Sequence, residues 1–339
     1  MSKIPSSMSF TVCRTWERLG AVVTRTLLDF IRLALVAELS RAVQQRIVDM
    51  AAIAGIHGIA QQYSGGYQLA SLWYDALRDG LVAAGQQSAA QRLTASDVRV
   101  VFFGDLFRPR GAMAAHDPPY TSADVQTGLE RDLLNEFYRA TVAQDPSLGP
   151  PEEVMGPGRV AAQVMVERML RARAFAGIAE RALVGDLKQV TRFLSCASIK
   201  ERVLKRVQAE ISDDTRVLIG HSLGSVVAYE YLYQCRPTSV ELLVTLGSPL
   251  GIPNLIFDRL TPTPTDGKGA WPGGVAGWVN VADPNDVVAL RKDLAELFSG
   301  SPPNVKVDDR LVDNGDQPHA VNRYLGAKQT GSALGAALA

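Results

Sequence analysis

From residue 50 onward, short apolar runs alternate with longer stretches in which apolar residues recur every three or four positions. Runs rich in Val, Ile and Leu predict strands buried on both faces, and the periodic stretches predict helices. The predicted strands are AAIAGIH, DVRVVFFG, TRVLIG, VELLVTLG, GWVNVAD and NVKVDD. Helices are predicted between them at residues 68–84, 199–211, 225–234 and 287–298. This alternation is typical of βα units that build a mainly parallel sheet.

One interval of the chain is too long for a simple connection between parallel strands. Roughly 110 residues separate the second predicted strand from the third, where a dozen or more would suffice. Apolar residues within this interval recur at helical spacing, and turn-rich sequences interrupt them. We therefore expect a main domain at residues 50–330 with a mostly helical cap inserted at about residues 120–198. The Ala- and Gly-rich residues 331–339 are expected to form a flexible tail.

The segment before residue 50 has a different pattern. Residues 12–48 place apolar side chains at three- and four-residue spacings, which predicts an amphipathic helical extension over residues 1–49. One interpretation is a pair of helices packed on the domain, and another is an arm that contacts a membrane surface or a partner protein. A third is that the natural chain starts at Met50, because MAAIAGIHG already has the pattern of a first strand.

Charge and cysteine content narrow the classes of partner. Lys and Arg number 35 and so do Asp and Glu, so the formal net charge is zero and no nucleic-acid partner is indicated. The three cysteines, Cys13, Cys196 and Cys235, are too few and too scattered for a disulfide framework. They also lack the spacing of a zinc site, and we expect no bound metal.

Charged residues interrupt each stretch that could act as a leader or a membrane span. Arg14, Glu17 and Arg18 lie where a signal peptide would need continuous apolar residues. The most apolar early segment, residues 26–39, contains Asp29, Arg32 and Glu38. We therefore expect no transmembrane segment and a cytoplasmic location.

Candidate chemistry centres on the pentapeptide that runs from Gly220 through His221, Ser222 and Leu223 to Gly224. A Gly-x-Ser-x-Gly match by itself is a weak signal. Here it directly follows a buried strand and opens a helix, which is the setting of a nucleophile elbow. The two glycines have no Cβ to collide with the neighbouring strand and helix, so the serine can adopt a strained turn. Ser222 is therefore the candidate nucleophile.

A serine nucleophile needs a histidine base. The chain has four histidines, His57, His116, His221 and His319. Only His319 follows the last predicted strand, where a loop can return it over the elbow. We expect the elbow to turn His221 away from its neighbour, so His319 is the candidate base.

The carboxylate that orients the base is expected after the strand GWVNVAD, where NVADPNDVVAL supplies Asp283 and Asp286. Asp286 lies in the loop beyond the strand and can reach sideways to a histidine. Asp283 ends the strand and is suited to capping the turn that follows. Asp286 is the preferred acid and Asp283 the alternative. Other acids later in the chain remain open, including Asp313 and Asp316.

Acyl chemistry through a tetrahedral intermediate also needs two donors directed at the developing oxyanion. The segment GIHGIAQQ follows the first predicted strand, where one donor would lie. The predicted oxyanion hole consists of the backbone N–H groups of Ile59 and Leu223. The alternative for His57 and Gly58 is an ordinary tight turn after a strand.

The elbow, the His-Gly pair after the first strand and the late Asp and His together resemble the α/β-hydrolase superfamily over about residues 50–325. VTLGSPLG and NDVVAL are similar to segments of lipase-like members. The resemblance implies an α/β-hydrolase fold with the cap and the N-terminal extension added. It also implies Ser222 as nucleophile, Asp286 as acid and His319 as base, with Ile59 and Leu223 as oxyanion donors.

These observations predict a serine hydrolase of carboxylic esters, acting on a small-molecule or lipid acyl ester with no metal or organic cofactor. Lipid and other acyl esters are favoured over polar ones. An acyltransferase or thioesterase with the same acyl-enzyme is the alternative, because the acceptor is not visible in the sequence. A non-catalytic binding protein on the same fold is a further alternative, although binding alone would not require the serine, aspartate and histidine together.

Overall fold

The computed structural model describes residues 52–59, 61, 64–108, 120–154, 158–175, 180–298 and 305–338. The predicted N-terminal extension at residues 1–49, with the arm at residues 12–48, lies outside these ranges, as do Met50 and His116. Everything that follows concerns the described part of the chain.

Six parallel strands form one sheet in the order β2-β1-β3-β4-β5-β6. Their bounds are β1 Ile53–Ile56, β2 Val98–Val101, β3 Val217–His221, β4 Leu242–Leu246, β5 Gly277–Ala282 and β6 Asp308–Leu311. β1 and β3 are fully buried along their length, whereas the edge strand β6 is partly exposed. The predicted fold class, a mainly parallel sheet flanked by helices in an α/β-hydrolase fold, is confirmed.

The sheet separates two hydrophobic clusters. Successive side chains of a strand point to opposite faces, so Val217 and Ile219 of β3 join one cluster and Leu218 joins the other. Burial of both faces explains why the strand sequences are almost continuously apolar.

Ten helices of the α type are present in the described residues. Their bounds are α1 Gly66–Ala83, α2 Gln87–Arg92, α3 Leu129–Gln144, α4 Pro151–Val154, α5 Arg159–Arg171, α6 Glu180–Ser195, α7 Ala197–Glu210, α8 Leu223–Cys235, α9 Val321–Leu325 and α10 Lys328–Ala337. α1 packs against α9 and α10 on one face of the sheet, and α8 packs on β3 and against α7 on the other. Between β2 and β3, the helices α3, α5 and α6 pack on one another and form the segment that we call the cap.

The prediction of a flexible tail at residues 331–339 is wrong for most of that segment. Residues 328–337 form α10, which packs along α1 and buries Ala333 and Leu334. A Cβ added to Gly331 would lie 1.9 Å from the carbonyl oxygen of Gly80, so the two backbones touch. The small residues that suggested flexibility are the ones that allow this close helix contact.

The prediction of a helix at residues 287–298 is also wrong, because only a short 3-10 turn forms there, at Leu294–Glu296. Side-chain carboxylates accept the backbone N–H groups that a helix would use. Asp286 accepts from the N–H of Val288, and Asp309 accepts from those of Leu294 and Ala295. Such bonds compete directly with the bonds of a helix. The last strand was predicted at residues 304–309, but it spans Asp308–Leu311, so it begins and ends later in the chain.

Among the described helices, none combines the length and the apolar character that a membrane crossing requires.

Candidate active site

Ser222 lies at a sharp turn between the carboxyl end of β3 and the start of α8. Its backbone angles are φ 53° and ψ −128°, a conformation that a residue with a side chain adopts only under constraint. A Cβ on Gly220 would lie 2.5 Å from Ser225 Cα. A Cβ on Gly224 would lie 2.1 Å from the Ile56 carbonyl oxygen. Glycine at both positions therefore allows the geometry of a nucleophile elbow.

The backbone of Ser222 is held on both sides of the turn. Its N–H donates to the carbonyl oxygen of Leu246 at 3.0 Å. Its carbonyl oxygen accepts from the hydroxyl of Ser225 at 2.6 Å, and that hydroxyl lies 2.7 Å from the hydroxyl of Ser248. The Ser222 hydroxyl takes part in no hydrogen bond with any described residue. The backbone contacts therefore hold the strained turn and leave the hydroxyl available for reaction.

His319 and Asp286 are hydrogen-bonded. The distance from His319 Nδ1 to Asp286 Oδ2 is 2.8 Å. Because a carboxylate can only accept, the Nδ1 atom carries the proton and Nε2 of the neutral ring has the free lone pair. Nε2 is buried and has no hydrogen-bond partner within the described ranges. His319 also lines the same cavity as Ser222, and the lone pair on its Nε2 is not used by another described residue.

The carboxylate of Asp286 is almost fully buried and receives several hydrogen bonds. Burial alone would raise the pKa of Asp286, but the nearby His319 charge and the bonds from His319, Tyr324 and Val288 outweigh it and lower the pKa to about 2. The Tyr324 hydroxyl donates to Oδ2 at 2.7 Å. Burial raises the pKa of Tyr324, which keeps it a donor. No sequence pattern pointed to Tyr324, which reaches Asp286 through the packing of α9.

Asp283, the alternative acid, is fully buried but has other partners. Its Oδ1 accepts from the N–H of Asn285 at 2.7 Å, and its Oδ2 accepts from the N–H of Asn314 at 2.5 Å. The Asn314 side chain donates to the Pro318 carbonyl oxygen at 3.0 Å. Asp283 therefore ties the loop that bears His319 to the end of β5.

The two remaining acids lie at the surface. Asp313 accepts from the N–H of Gly315, and Asp316 lies 3.7 Å from Arg323. Neither is bonded to His319, whose carboxylate partner is Asp286.

His221 does not simply turn away from the site. Its Nε2–H donates to the backbone carbonyl of His319 at 3.0 Å, and the two rings lie 4.8 Å apart. Burial and then the charge of His319 lower the pKa of His221 to about 3, so it stays neutral and keeps this donor. The sequence showed His221 beside the serine, but only the folded chain brings it to the histidine loop.

The two residues predicted to supply the oxyanion donors both lie close to Ser222. Leu223 is the first residue of α8, and the first N–H groups of a helix have no partner inside it. Ile59 lines the same cavity as Ser222. Gly58 packs against the serine, since a Cβ there would lie 2.8 Å from Ser222 Cβ.

His57 fixes the peptide that carries the Ile59 N–H. Its Nδ1–H donates to the Gly58 carbonyl oxygen at 2.6 Å, and its Nε2 accepts from the Phe103 N–H at 3.1 Å. In a planar trans peptide the carbonyl and the next N–H point in opposite directions. By holding the Gly58 carbonyl, His57 therefore also sets the direction of the Ile59 N–H.

Acid should destabilise the protein through His57. Burial lowers the pKa of His57 from 6.5 to about 4. Between those values the unfolded chain binds the proton and the folded chain does not, so stability rises with pH across this window and is lost as pH falls. Between pH 7 and pH 5, we expect wild type to lose about 2 kcal/mol more unfolding free energy than His57→Gln. Denaturant unfolding at both pH values measures this.

The difference between wild type and His57→Gln isolates the contribution of His57 to the pH dependence, because the other buried histidine, His221, is present in both proteins. A glutamine at position 57 lowers stability at every pH, but it does not titrate. Equal pH dependence in the two proteins would contradict a neutral, buried His57.

Comparison with protein families supports the same fold. A family model described as PGAP1-like alpha/beta domain matches residues 183–263, which include the elbow and the strands β3 and β4. The match ends before Asp286 and His319. No curated protein and no solved structure matches the chain. Around its elbow, the chain is thus similar to a PGAP1-like α/β domain. This similarity and the α/β-hydrolase fold support the conclusion that the protein is a hydrolase in general.

Proposed function

We propose that the protein is a serine hydrolase of carboxylic esters, with Ser222 as nucleophile, His319 as base and Asp286 as the acid that orients it. One observation carries the proposal: a serine at a strained strand-to-helix turn lines one cavity with a histidine whose other ring nitrogen is held by a buried carboxylate. A purely structural serine would not need this arrangement.

The reaction follows from these positions. The Ser222 Oγ attacks the ester carbonyl carbon while its proton passes to His319 Nε2. The developing oxyanion accepts from the N–H groups of Ile59 and Leu223. The C–O bond to the alcohol then breaks, the alcohol takes the proton from Nε2, and the acyl group stays on Ser222. A water molecule then attacks the carbonyl carbon of the acyl-enzyme and gives a proton to His319. The resulting tetrahedral intermediate collapses: the bond from the carbon to Ser222 Oγ breaks, Oγ takes the proton back from His319, and the carboxylic acid product is released.

Asp286 contributes in two ways. It holds the ring so that Nε2 carries the lone pair, and it stabilises the imidazolium that forms when the proton arrives. Its lowered pKa, about 2, keeps the Asp286 carboxylate ionised at neutral pH.

Covalent labelling tests the nucleophile directly. We expect a fluorophosphonate probe to react with the native protein, and peptide mass spectrometry to locate the adduct on Ser222. The heat-denatured protein is the control, because a serine without its base has ordinary reactivity. An adduct on another serine, or equal labelling after denaturation, would overturn the assignment.

Product analysis separates hydrolysis from acyl transfer, which shares the acyl-enzyme. With an ester substrate in water we expect the free acid as the main product. Preferential formation of a new ester when an alcohol such as glycerol is added would favour an acyltransferase instead.

A further inference from the structure

A small, mostly apolar cavity is lined in part by Ser222. Its volume is about 50 Å³. The described residues that line it come from the cap, the elbow and the loops after β1, β4, β5 and β6: Ile59, Phe137, Phe175, Leu183, Asp186, Leu187, Val190, Ser222, Pro249, Ile256, Val287, Val288 and His319. Nearly all of these side chains apart from the serine and histidine are hydrocarbon, so the cavity suits an apolar group.

The reaction geometry directs the acyl chain into this cavity. When the carbonyl carbon is bonded to Ser222 Oγ, its oxygen points to the N–H groups of Ile59 and Leu223. Ser222 and Ile59 both line the cavity. Once the alcohol has left, the only other substituent on that carbon is the acyl chain, and we place it in this cavity.

From the size of this cavity we infer that the protein acts on esters of short, uncharged acyl groups, of acetyl or propionyl size. The inference rests on the proposed function and names its substrate class. A dry protein cavity of about 150 Å³ holds one benzene molecule, so a third of that volume holds two or three non-hydrogen atoms.

The walls of the cavity belong to the protein core. Phe137 of α3 and Leu187 of α6 lie in the same hydrophobic cluster as Leu223 and Val226 of α8. Phe137 is 8% exposed and Leu187 is 1% exposed, so the cap is packed onto the sheet side of the site. Admitting a long chain would force these packed side chains apart, which costs energy in a well-packed core.

A series of nitrophenyl esters from acetate to octanoate measures the chain-length preference. We expect the highest kcat/KM for acetate or propionate and a loss of about tenfold for each further methylene. A kcat/KM that is level or rises towards octanoate overturns the inference and leaves the proposed ester hydrolysis standing. Absence of turnover with every ester contradicts the proposed function, and the inference falls with it.

Enlarging the cavity should move the preference in a defined direction. In Phe137→Ala we expect the ratio of kcat/KM for hexanoate over acetate to rise by about tenfold or more. Leu133→Ala is the matched control, because Leu133 is buried on the same helix but does not line the cavity. Its ratio should stay at the wild-type value even though its stability falls.

Val190→Ala provides a milder enlargement from the α6 wall, for use where Phe137→Ala does not fold. Thermal unfolding identifies the folded variants. An unchanged ratio in the folded enlarged variants, or the same shift in Leu133→Ala, overturns the assignment of this cavity to the acyl chain.

Discussion

Ser222→Ala is expected to lower kcat for ester hydrolysis by at least about 10⁴-fold, because no other group can form the acyl-enzyme. The folded state should be retained, since the Ser222 hydroxyl makes no hydrogen bond with the described residues and alanine meets the same strain at φ 53°. Steady-state kinetics with nitrophenyl acetate measures the loss. Thermal unfolding of both proteins shows whether the fold is unchanged.

Ser248→Ala is the matched control for this prediction. Ser248 is a second buried serine nearby, and its hydroxyl contacts the hydroxyl of Ser225 and accepts from the N–H of Leu250. Its removal should cost stability, typically about 1 kcal/mol, and keep kcat within about tenfold of wild type. A Ser222→Ala protein that stays folded and retains more than a hundredth of the wild-type kcat would contradict the nucleophile assignment.

Asp286→Asn is expected to lower kcat by about 10⁴-fold while leaving the shape of the site unchanged. An asparagine can donate its NH₂ group to His319 Nδ1, which places the ring proton on Nε2 and removes the lone pair that should accept the serine proton. The loss should therefore appear in kcat. Kinetics with nitrophenyl acetate near neutral pH measures it.

Asp283→Asn separates the two candidate acids. Asp283 accepts N–H bonds from the backbone of Asn285 and Asn314, so its replacement should weaken the histidine loop and lower the melting temperature. We expect a loss in kcat of about a hundredfold or less, because the bond between Asp286 and His319 stays. If Asp283→Asn were the more severe variant in kcat while still folded, the acid would be Asp283.

The parts of the fold that depend on neighbours in the chain were predictable from sequence. β3 and the start of α8 enclose Ser222 within a few residues, so the apolar run, the two glycines and the helical stretch identify the elbow locally. The strands β1, β4 and β5 were predictable for the same reason. Burial on both faces leaves mostly apolar runs, and the polar residues within them, Thr245 of β4 and Asn280 of β5, are hydrogen-bonded to each other.

The two wrong structural predictions depended on contacts that are distant in the chain. Residues 287–298 have helical spacing, but Asp309 takes two of their backbone N–H groups from the neighbouring edge strand. The Ala- and Gly-rich end of the chain appeared unable to build a core, yet Gly331 lets α10 touch the backbone of α1 at Gly80. In both segments, contacts with residues distant in the chain decided the secondary structure against the preference of the local sequence.

The sequence by itself determined the succession of the six strands, the elbow at Ser222 and the late position of a histidine and two aspartates. Only the tertiary structure decided that Asp286 and not Asp283 meets His319, and that His57, His221 and Tyr324 hold the parts of the site in place. The physical reason is that loops from separate strands meet at one edge of a parallel sheet. The side chains that touch there are set by packing across the fold, which spacing along the chain does not encode.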